Sequence, residues 1–420
     1  MSDRVCLCID LKSFYASVEC VDKGLDPLTA LLVVADPERT EKTICLAITP
    51  AMKALGIRNR CRVFEIPKNI KYVMATPRMQ RYIDVSADIY SIYLRYVAKE
   101  DIHVYSIDEV FMDVTEYLEL YKMSAKELAA RIIRDIYETT GITATCGIGT
   151  NLYLAKIAMD ITAKHVDDHM GELTEESFRE TLWNHRPLTD FWRIGPGTVR
   201  KLEQYGIYTM RDIAKADEDL LYRLFGIDAE LMIDHAWGRE SATIQDIKAY
   251  KPRHNSLSSG QVLSRDYSMQ EGLLLCKEMA ELLCLDLVEK GLITDNISIM
   301  LSYASGSIKG GDNGSISLGM ATSSSRMILP YIEKLYNKIA DSECFIRRIG
   351  ISFNNVVDEA FVQYDIFTDP EELERDRKLQ KAMVGVRNKY GKNAILKGMN
   401  LEKGGTTIER NKQIGGHRSG

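Results

Sequence analysis

The sequence predicts a multidomain protein built from α/β and purely α parts, and three observations predict it. The chain has 420 residues, too many for one compact core of ordinary size and enough for two to four. Strand-like apolar runs alternate with helical ones over residues 1–160, the pattern of an α/β sandwich. Residues 173–238 then turn to helical patterning, and residues 251–357 to a strand–helix–strand–strand–helix–strand order. With 45% hydrophobic and 27% charged residues, the composition is that of an ordinary globular protein. The N-terminal apolar run is short and broken by Asp10, so it reads neither as a signal peptide nor as a membrane span. A cytoplasmic protein without a membrane partner is expected. Nine cysteines, none in a C-x-x-C pair, read as reduced core residues, and His165 and His169 as a solvated loop rather than a zinc site.

The first strand, Val5 to Asp10, is an apolar run that ends in an acid. The run after it opens at Ser13, a plausible N-cap, so a helix starts just beyond Asp10. Free amides at a helix start bind phosphate oxygens, which makes acid-then-helix the arrangement that holds a metal–triphosphate. Phe14 and Tyr15 then lie where a nucleotide sugar could rest, although core packing suits Phe14 equally well. Thr49 and Pro50 open a short helix that Gly56 ends; Lys53 on it is either surface charge or a phosphate ligand.

The stretch Tyr105 to Asp113 organises the rest. β-Branched and aromatic residues flank Asp108-Glu109, which reads as two strands meeting in a tight turn. Adjacent carboxylates at a strand end repel each other and lose solvation, and a divalent cation offsets that cost. A lone Asp-Glu is ordinary turn chemistry. If the first strand pairs with this one, however, Asp10, Asp108 and Glu109 converge into an all-oxygen site suited to Mg²⁺. Ala144 to Asn151 then forms a strand running into a Gly-bearing loop and a helix with an early lysine, Lys156, again a phosphate-friendly order.

Further on, Gly195-Pro196-Gly197 makes a sharp hairpin, and the helix after it opens with Thr198, Arg200 and Lys201. That combination suits sequence-independent gripping of DNA phosphates; a plain helix–helix turn is the alternative. Residues 239–250 read as a linker. Residues 251–357 carry 11 basic and 11 acidic side chains, so a DNA-binding face requires segregation of charge. Arg253, Arg265, Lys309, Arg347 and Arg348 lie on or beside predicted strands, while much of the acid lies on helices. The net charge of −6 hides a tail: residues 375–420 hold 12 Lys/Arg against 3 Asp/Glu, a local +9. Such a tail either touches a phosphate backbone or is a soluble extension.

Four motifs in this order and spacing resemble the Y-family (translesion) DNA polymerases, in their UmuC-like branch, over about residues 1–367. They are Asp10 with Phe14 to Glu19, the Ser106-to-Asp113 signature, Asn151 through Lys156, and the Gly195-to-Gly197 hairpin. The resemblance implies a right-hand polymerase. Its α/β palm would take residues 1–30 and 73–166, its short fingers 31–72 and its helix-hairpin-helix thumb 167–238. The linker 239–250 would lead to an α+β little finger at 251–357, and residues 358–420 would form a C-terminal tail. It assigns Asp10, Asp108 and Glu109, with the Leu11 carbonyl, to two Mg²⁺ ions. Amides from Leu11 to Tyr15, with Lys53 and Lys156, would hold the triphosphate of an incoming dNTP; Tyr15 would be the steric gate against ribonucleotides, and Ala47 would floor the nascent base pair. Primer-template DNA would meet Gly195, Gly197, Thr198, Arg200, Lys201, Arg253, Arg265, Arg347 and Arg348. Gln363, Tyr364, Asp365, Ile366 and Phe367 resemble the peptide that docks bacterial polymerases in the sliding clamp, with a final strand as the alternative.

Two departures stand out. Pro50 and Lys53 occupy positions where the family commonly carries Tyr and Arg, which costs a bidentate grip on phosphate. With the first catalytic acid at residue 10, no proofreading exonuclease is expected ahead of it. Short fingers are expected to discriminate weakly and to allow low-fidelity bypass of damaged bases. A bacterial, nucleoid-engaged enzyme, with a UmuD-like accessory protein as a further partner, completes the expectation.

Overall fold

A computed structural model describes residues 4–252, 255–361 and 370–420. Arg253 and the Gln363–Phe367 peptide lie outside the described residues. Two compact units are present, one reaching to Tyr250 and including Ser419–Gly420, the other Lys251–Arg418. Among the described residues, no helix is long and apolar enough to cross a membrane.

In the first unit, β1 (Cys6–Leu11) leads into α1 (Phe14–Asp22). Next come β2 (Leu32–Val34), β3 (Ala47–Ile48), α2 (Pro50–Ala54) and β4 (Val73–Ala75). After α3 (Met79–Tyr93), the strands β5 (Ile102–Val104) and β6 (Glu109–Asp113) form the hairpin around the acidic pair. Helices α4 (Thr115–Tyr121) and α5 (Ala125–Thr140), then β7 (Ala144–Gly149), α6 (Leu152–Asp160) and β8 (Met170–Leu173), complete the α/β part. The main sheet runs β5-β6-β1-β7-β8, and β3-β2-β4 form a separate small sheet. β1 lies at its centre, with Cys6, Leu7, Cys8 and Ile9 fully buried, which explains why this strand is a continuous apolar run rather than an alternating one. All nine cysteines are free and buried, as a reduced core requires.

Gly147 and Gly149 have a different role from the phosphate loop expected for them. Both lie in β7, and a Cβ on Gly149 would stand 2.2 Å from the Ala155 amide nitrogen; one on Gly147 would stand 2.0 Å from the Ala155 carbonyl. Their bareness lets α6 press its backbone onto the sheet. Asn151 caps α6 by accepting from the Leu154 amide (2.8 Å) and donates to the Gly238 carbonyl (2.9 Å).

Helices α7 (Glu175–Thr181), α8 (Pro196–Glu203), α9 (Met210–Lys215), α10 (Glu218–Phe225) and α11 (Asp228–Trp237) follow, around a core that includes Phe178, Leu202 and Leu221. The segment read as a linker contains α12 (Ile244–Ala249). Thr243 and Asp246 form its capping box, and Ile244 is buried beside Cys6, Cys8 and Met159. Gln245 donating to Asp101 (2.9 Å) and Lys248 donating to the Glu100 carbonyl (3.0 Å) help to dock it.

The second unit packs α13 (Met269–Lys290) and α14 (Ser325–Ile339) on one face of the sheet β11-β10-β12-β9. These strands are β9 (Leu257–Tyr267), β10 (Leu292–Tyr303), β11 (Gly311–Thr322) and β12 (Ile346–Asn354). The basic tail is not an extension. Its helix α15 (Pro370–Tyr390) packs against α13. The buried Glu278 of α13 accepts from Asn400 (3.0 Å) and from the Thr406 amide (2.8 Å), and Gln380 donates to the Ser323 carbonyl (3.2 Å). Lys397 pairs with the buried Glu281 at 2.6 Å.

The fit of α6 against β7 yields a stability prediction. Gly149→Ala forces the helix off the sheet and should destabilise the protein by about 3 kcal/mol, the scale of overpacking a tight core. Denaturant unfolding of the variant checks this; an unchanged midpoint would contradict the packing described.

Candidate active site

Backbone pairing brings the acids together. β1 and β6 are antiparallel with Asp10 opposite Glu109, and the Leu11 amide donates to the Asp108 carbonyl at 2.9 Å. The turn before β6 is fixed by the Tyr105 and Ser106 amides, both donating to the Glu109 carbonyl, and by Ser86 of α3, which donates to the Ile107 carbonyl at 2.6 Å. Burial, then Asp108, then Glu109 push the Asp10 carboxyl up to about 7. Three carboxylates crowd one corner of the sheet.

They are not yet gathered around one point. Among the described residues, no three acidic, thiol or imidazole groups stand ready to hold an ion. Asp108 accepts from the Ser106 hydroxyl (2.6 Å), and Glu109 is held at 2.9 Å by the Lys156 ammonium and at 3.3 Å by the Cys8 thiol. Lys156 also pairs with Asp160 at 3.1 Å, an acid that sequence reasoning missed. Burial works against the ammonium, yet Asp160, Cys8 and Glu109 together hold its pKa above the ordinary lysine value. Burial likewise raises Glu109 despite Lys156. The donor set nevertheless fits a divalent cation: hard carboxylate oxygens, with repulsion at Asp10 that a cation would relieve.

Beyond β1 the backbone turns sharply, Ser13 lying in the left-handed region at φ 49°. Ser13 occupies the N-cap position of α1, but its side chain makes no cap. It accepts instead from the Lys53 ammonium at 2.9 Å. Thr49, expected to cap α2, likewise turns to β2 and accepts from the Leu32 amide at 3.2 Å. Of the amides expected to face phosphate, those of Leu11 and Lys12 are used by the sheet, donating to Asp108 and Thr143. The first-turn amides of Phe14 and Tyr15 have no partner within the helix. Lys12, which the sequence reading passed over, lies near Lys53: burial and then Lys53 lower its pKa. At Lys53 burial lowers the pKa, Asp10 raises it and Lys164 lowers it. Lys53 thus lies within electrostatic reach of Lys12, Lys164 and Asp10.

Phe14 does not face this space; its ring is 2% exposed and belongs to the core. Tyr15 does. Its ring stacks on Tyr82 (centroids 4.4 Å, 16° between planes), and Tyr82 donates to the buried Glu19 at 2.9 Å. Arg78 at 2.8 Å and Lys23 at 3.2 Å also hold Glu19, so a buried ion network on α1 and α3 fixes the plane on which Tyr15 rests. Ala47 is buried on β3. On the far side of the hairpin, Trp192 donates to the Tyr105 hydroxyl at 3.1 Å, edge-on at 5.8 Å, tying the hairpin to the chain just before Gly195.

The Gly195–Gly197 turn follows a short 3₁₀ turn at Leu188–Asp190 rather than a helix. Nothing lies within 4 Å of a Cβ placed on either glycine, and neither has a positive φ, so the bareness there serves neither strain nor internal packing. Thr198 is half-buried and Arg200 exposed, while Lys201 reaches the Leu224 carbonyl at 3.4 Å.

In the second unit the sheet face away from the helices is built of short side chains. Ser315, Ser298, Ser352 and Ser258 form one row across β11, β10, β12 and β9, and the rows through Asn296, Met300 and Ser302 also carry no carboxylate. Arg348 stands on this face opposite Ser302 and Val262. Arg265 instead pairs with Glu271 at 2.6 Å, Arg347 with Asp266 at 3.5 Å, and Lys309 with Asp341 at 3.4 Å.

Comparison with known proteins gives the following. Residues 9–160 match the impB/mucB/samB family and residues 254–366 that family's C-terminal domain. The putative UV-damage repair protein UvrX of Bacillus subtilis (strain 168) is 32% identical over 98% of this chain and 97% of its own length. DNA polymerase IV 2 of the same organism is 29% identical over 99% of each chain. Among solved structures, the Y-family DNA polymerase chimera Dbh-Dpo4(243-245)-Dbh aligns with a TM-score of 0.66 at 21% identity, over 84% of this chain and 99% of its own.

The crowding at Asp10 sets a pH dependence. Its pKa in the folded protein is raised from 3.8 to about 7, so the folded state binds more protons than the unfolded chain between those values. This group's contribution therefore makes the protein more stable as pH falls through that window when no divalent cation is present. Asp10→Asn should flatten that slope and unfold at a higher temperature than the parent at pH 8. Thermal unfolding across pH checks it, and an identical slope in the variant would contradict it.

Proposed function

The chain belongs to the impB/mucB/samB family of Y-family DNA polymerases, and from that premise we propose a low-fidelity translesion polymerase whose catalytic centre is Asp10, Asp108 and Glu109. One observation carries the assignment of the site: β1–β6 pairing sets Asp10 opposite Glu109 and burdens it with negative charge that Lys156 only partly balances. The three carboxylates, with the Leu11 carbonyl, would hold divalent cations, two Mg²⁺ ions in the full complex. Such ions, when bound, lower the pKa of a primer 3′-hydroxyl and neutralise charge on a triphosphate.

The chain's own residues supply the rest. Lys12, Lys53 and Lys164 form the cationic side on which the triphosphate of a dNTP would lie, with the first-turn amides of Phe14 and Tyr15 beneath it. Lys156 is held by Glu109 and Asp160. It would keep Glu109 oriented and would also hold oxygens of the triphosphate. The Tyr15 ring, backed by Tyr82, would fill the space of a ribose 2′-hydroxyl, and Ala47 would bound the nascent base pair.

Primer-template DNA would meet the open Gly195–Gly197 turn with Thr198 and Arg200, and the carboxylate-free serine face with Arg348. Arg265 and Arg347 would first have to leave their acidic partners. Gln363–Phe367 would dock in a sliding clamp as an extended peptide, and a UmuD-like protein is a further candidate partner.

Primer extension on undamaged and abasic templates, with and without sliding clamp and accessory protein, tests this reading. Extension past the lesion is expected. Asp108→Ala should abolish extension while leaving primer-template binding intact, and Tyr15→Ala should admit ribonucleotides. Ribonucleotide exclusion unchanged by the Tyr15 substitution would remove the gate from Tyr15, and extension by Asp108→Ala would remove the catalytic assignment.

A further inference from the structure

Among the described residues, the Arg60 guanidinium beside this site has no partner. Arg60 lies in the turn between α2 and the segment at Cys61, in the left-handed backbone region at φ 59°. An unbranched cationic side chain gains nothing there that Gly or Asn would not supply with less strain. A helix end explains the same conformation at Lys122, the C-cap of α4, and at Arg193 (φ 68°) the guanidinium lies over the Trp192 ring at 4.9 Å. Arg60 ends no helix.

Its position is set by pairing. The Cys45 amide donates to the Cys61 carbonyl at 2.8 Å, and Ile44 bridges Arg62 in antiparallel register. Arg60 therefore stands at the level of Leu46, one residue before Ala47. The Arg62 guanidinium is used inside the protein, donating to the Lys42 carbonyl at 2.8 Å. The Arg60 side chain is exposed and makes no hydrogen bond or ion pair among the described residues. Its charge still reaches Tyr15: burial and Asp108 raise the Tyr15 hydroxyl, and Arg60 opposes them. Tyr15 thus lies within electrostatic reach of both an acid, Asp108, and the Arg60 guanidinium.

We propose that Arg60 is a further nucleotide-binding residue, held in a strained turn so that its guanidinium meets the phosphate oxygens of a nucleoside triphosphate seated between Tyr15 and Ala47. The inference rests on the nucleotide site proposed above. A planar fork with no internal partner suits bidentate phosphate contact, and would restore some of the grip lost with Lys53 in place of an arginine. Phosphate oxygens also occur on a template strand, so the test must separate the two sources.

The test uses the full chain in single-nucleotide insertion, with the dNTP titrated and primer-template affinity measured separately by fluorescence anisotropy. Arg60→Gly should raise KM for the dNTP about tenfold, the effect of losing one charge-assisted hydrogen bond. Its kcat and DNA affinity should stay within about twofold, and Arg60→Lys should recover part of the loss. Because glycine relieves the left-handed turn, the unfolding midpoint of Arg60→Gly should hold or rise. An unchanged KM overturns the proposal. So does a loss confined to DNA affinity, which would move Arg60 to the template strand, or a lowered midpoint with kcat and KM falling together, which marks a structural role. Tyr15→Ala, run in parallel, keeps the two readings apart. If it leaves ribonucleotides excluded while Arg60→Gly still raises KM, the gate falls and Arg60 stands; the converse result removes Arg60 alone.

Discussion

Pairing β1 with β6 forces like charges into one corner of a buried sheet, and the rest of the first unit is arranged around that repulsion. The ladder is uninterrupted from Cys6–Asp113 to Asp10–Glu109, so Asp10 cannot move away without breaking the centre of the sheet. Charge must therefore be balanced by what comes to the acids. One buried ammonium, Lys156, partly does so, carried by a helix that reaches the sheet only because Gly147 and Gly149 lack side chains. An incompletely balanced carboxylate cluster is costly for a resting fold and useful for a site that takes up cations.

Around the acids the chain sorts its functional chemistry by position. Lysines gather beyond the end of β1, an aromatic shelf made of Tyr15 on Tyr82 stands beside them, and the Tyr105–Trp192 contact ties the hairpin to the glycine turn at Gly195. The shelf is anchored by Glu19, whose carboxylate is 1% exposed and shared by Arg78, Lys23 and Tyr82. The buried carboxylate is thus held from several directions at once, by two cations and a phenol hydroxyl. Such support is what the sugar gate proposed at Tyr15 would require.

Much of this was legible in the sequence where chemistry and periodicity agree. Asp10 stands at the end of an apolar run, Asp108-Glu109 between two strand-like segments, and the second unit's alternation appears as β9, α13, β10, β11, α14 and β12. Side-chain direction was not legible. The left-handed Ser13 reverses the chain after β1, so Lys12 and Tyr15 face the site while Phe14 turns into the core; no spacing rule announces a positive φ at a serine. Lys156 could be placed on a helix, but not aimed at Glu109. The tail beyond residue 370 was misread for another reason. It is held by Gln380, Asn400 and Thr407, and it gives Glu278 and Glu281 their partners, so the burial is polar and carries little hydrophobic signal. Charge counting along the chain likewise did not show that Arg265, Arg347 and Lys309 have acidic partners near in space.

The most direct measurement is anomalous scattering from Mn²⁺ in crystals of the protein with primer-template DNA and a non-hydrolysable dNTP. Peaks bonded to carboxylate oxygens of Asp10, Asp108 and Glu109, at about 2.1–2.3 Å, are the predicted result. Manganese bound elsewhere, with Asp10 touching no cation while the nucleotide is in place, would contradict the account.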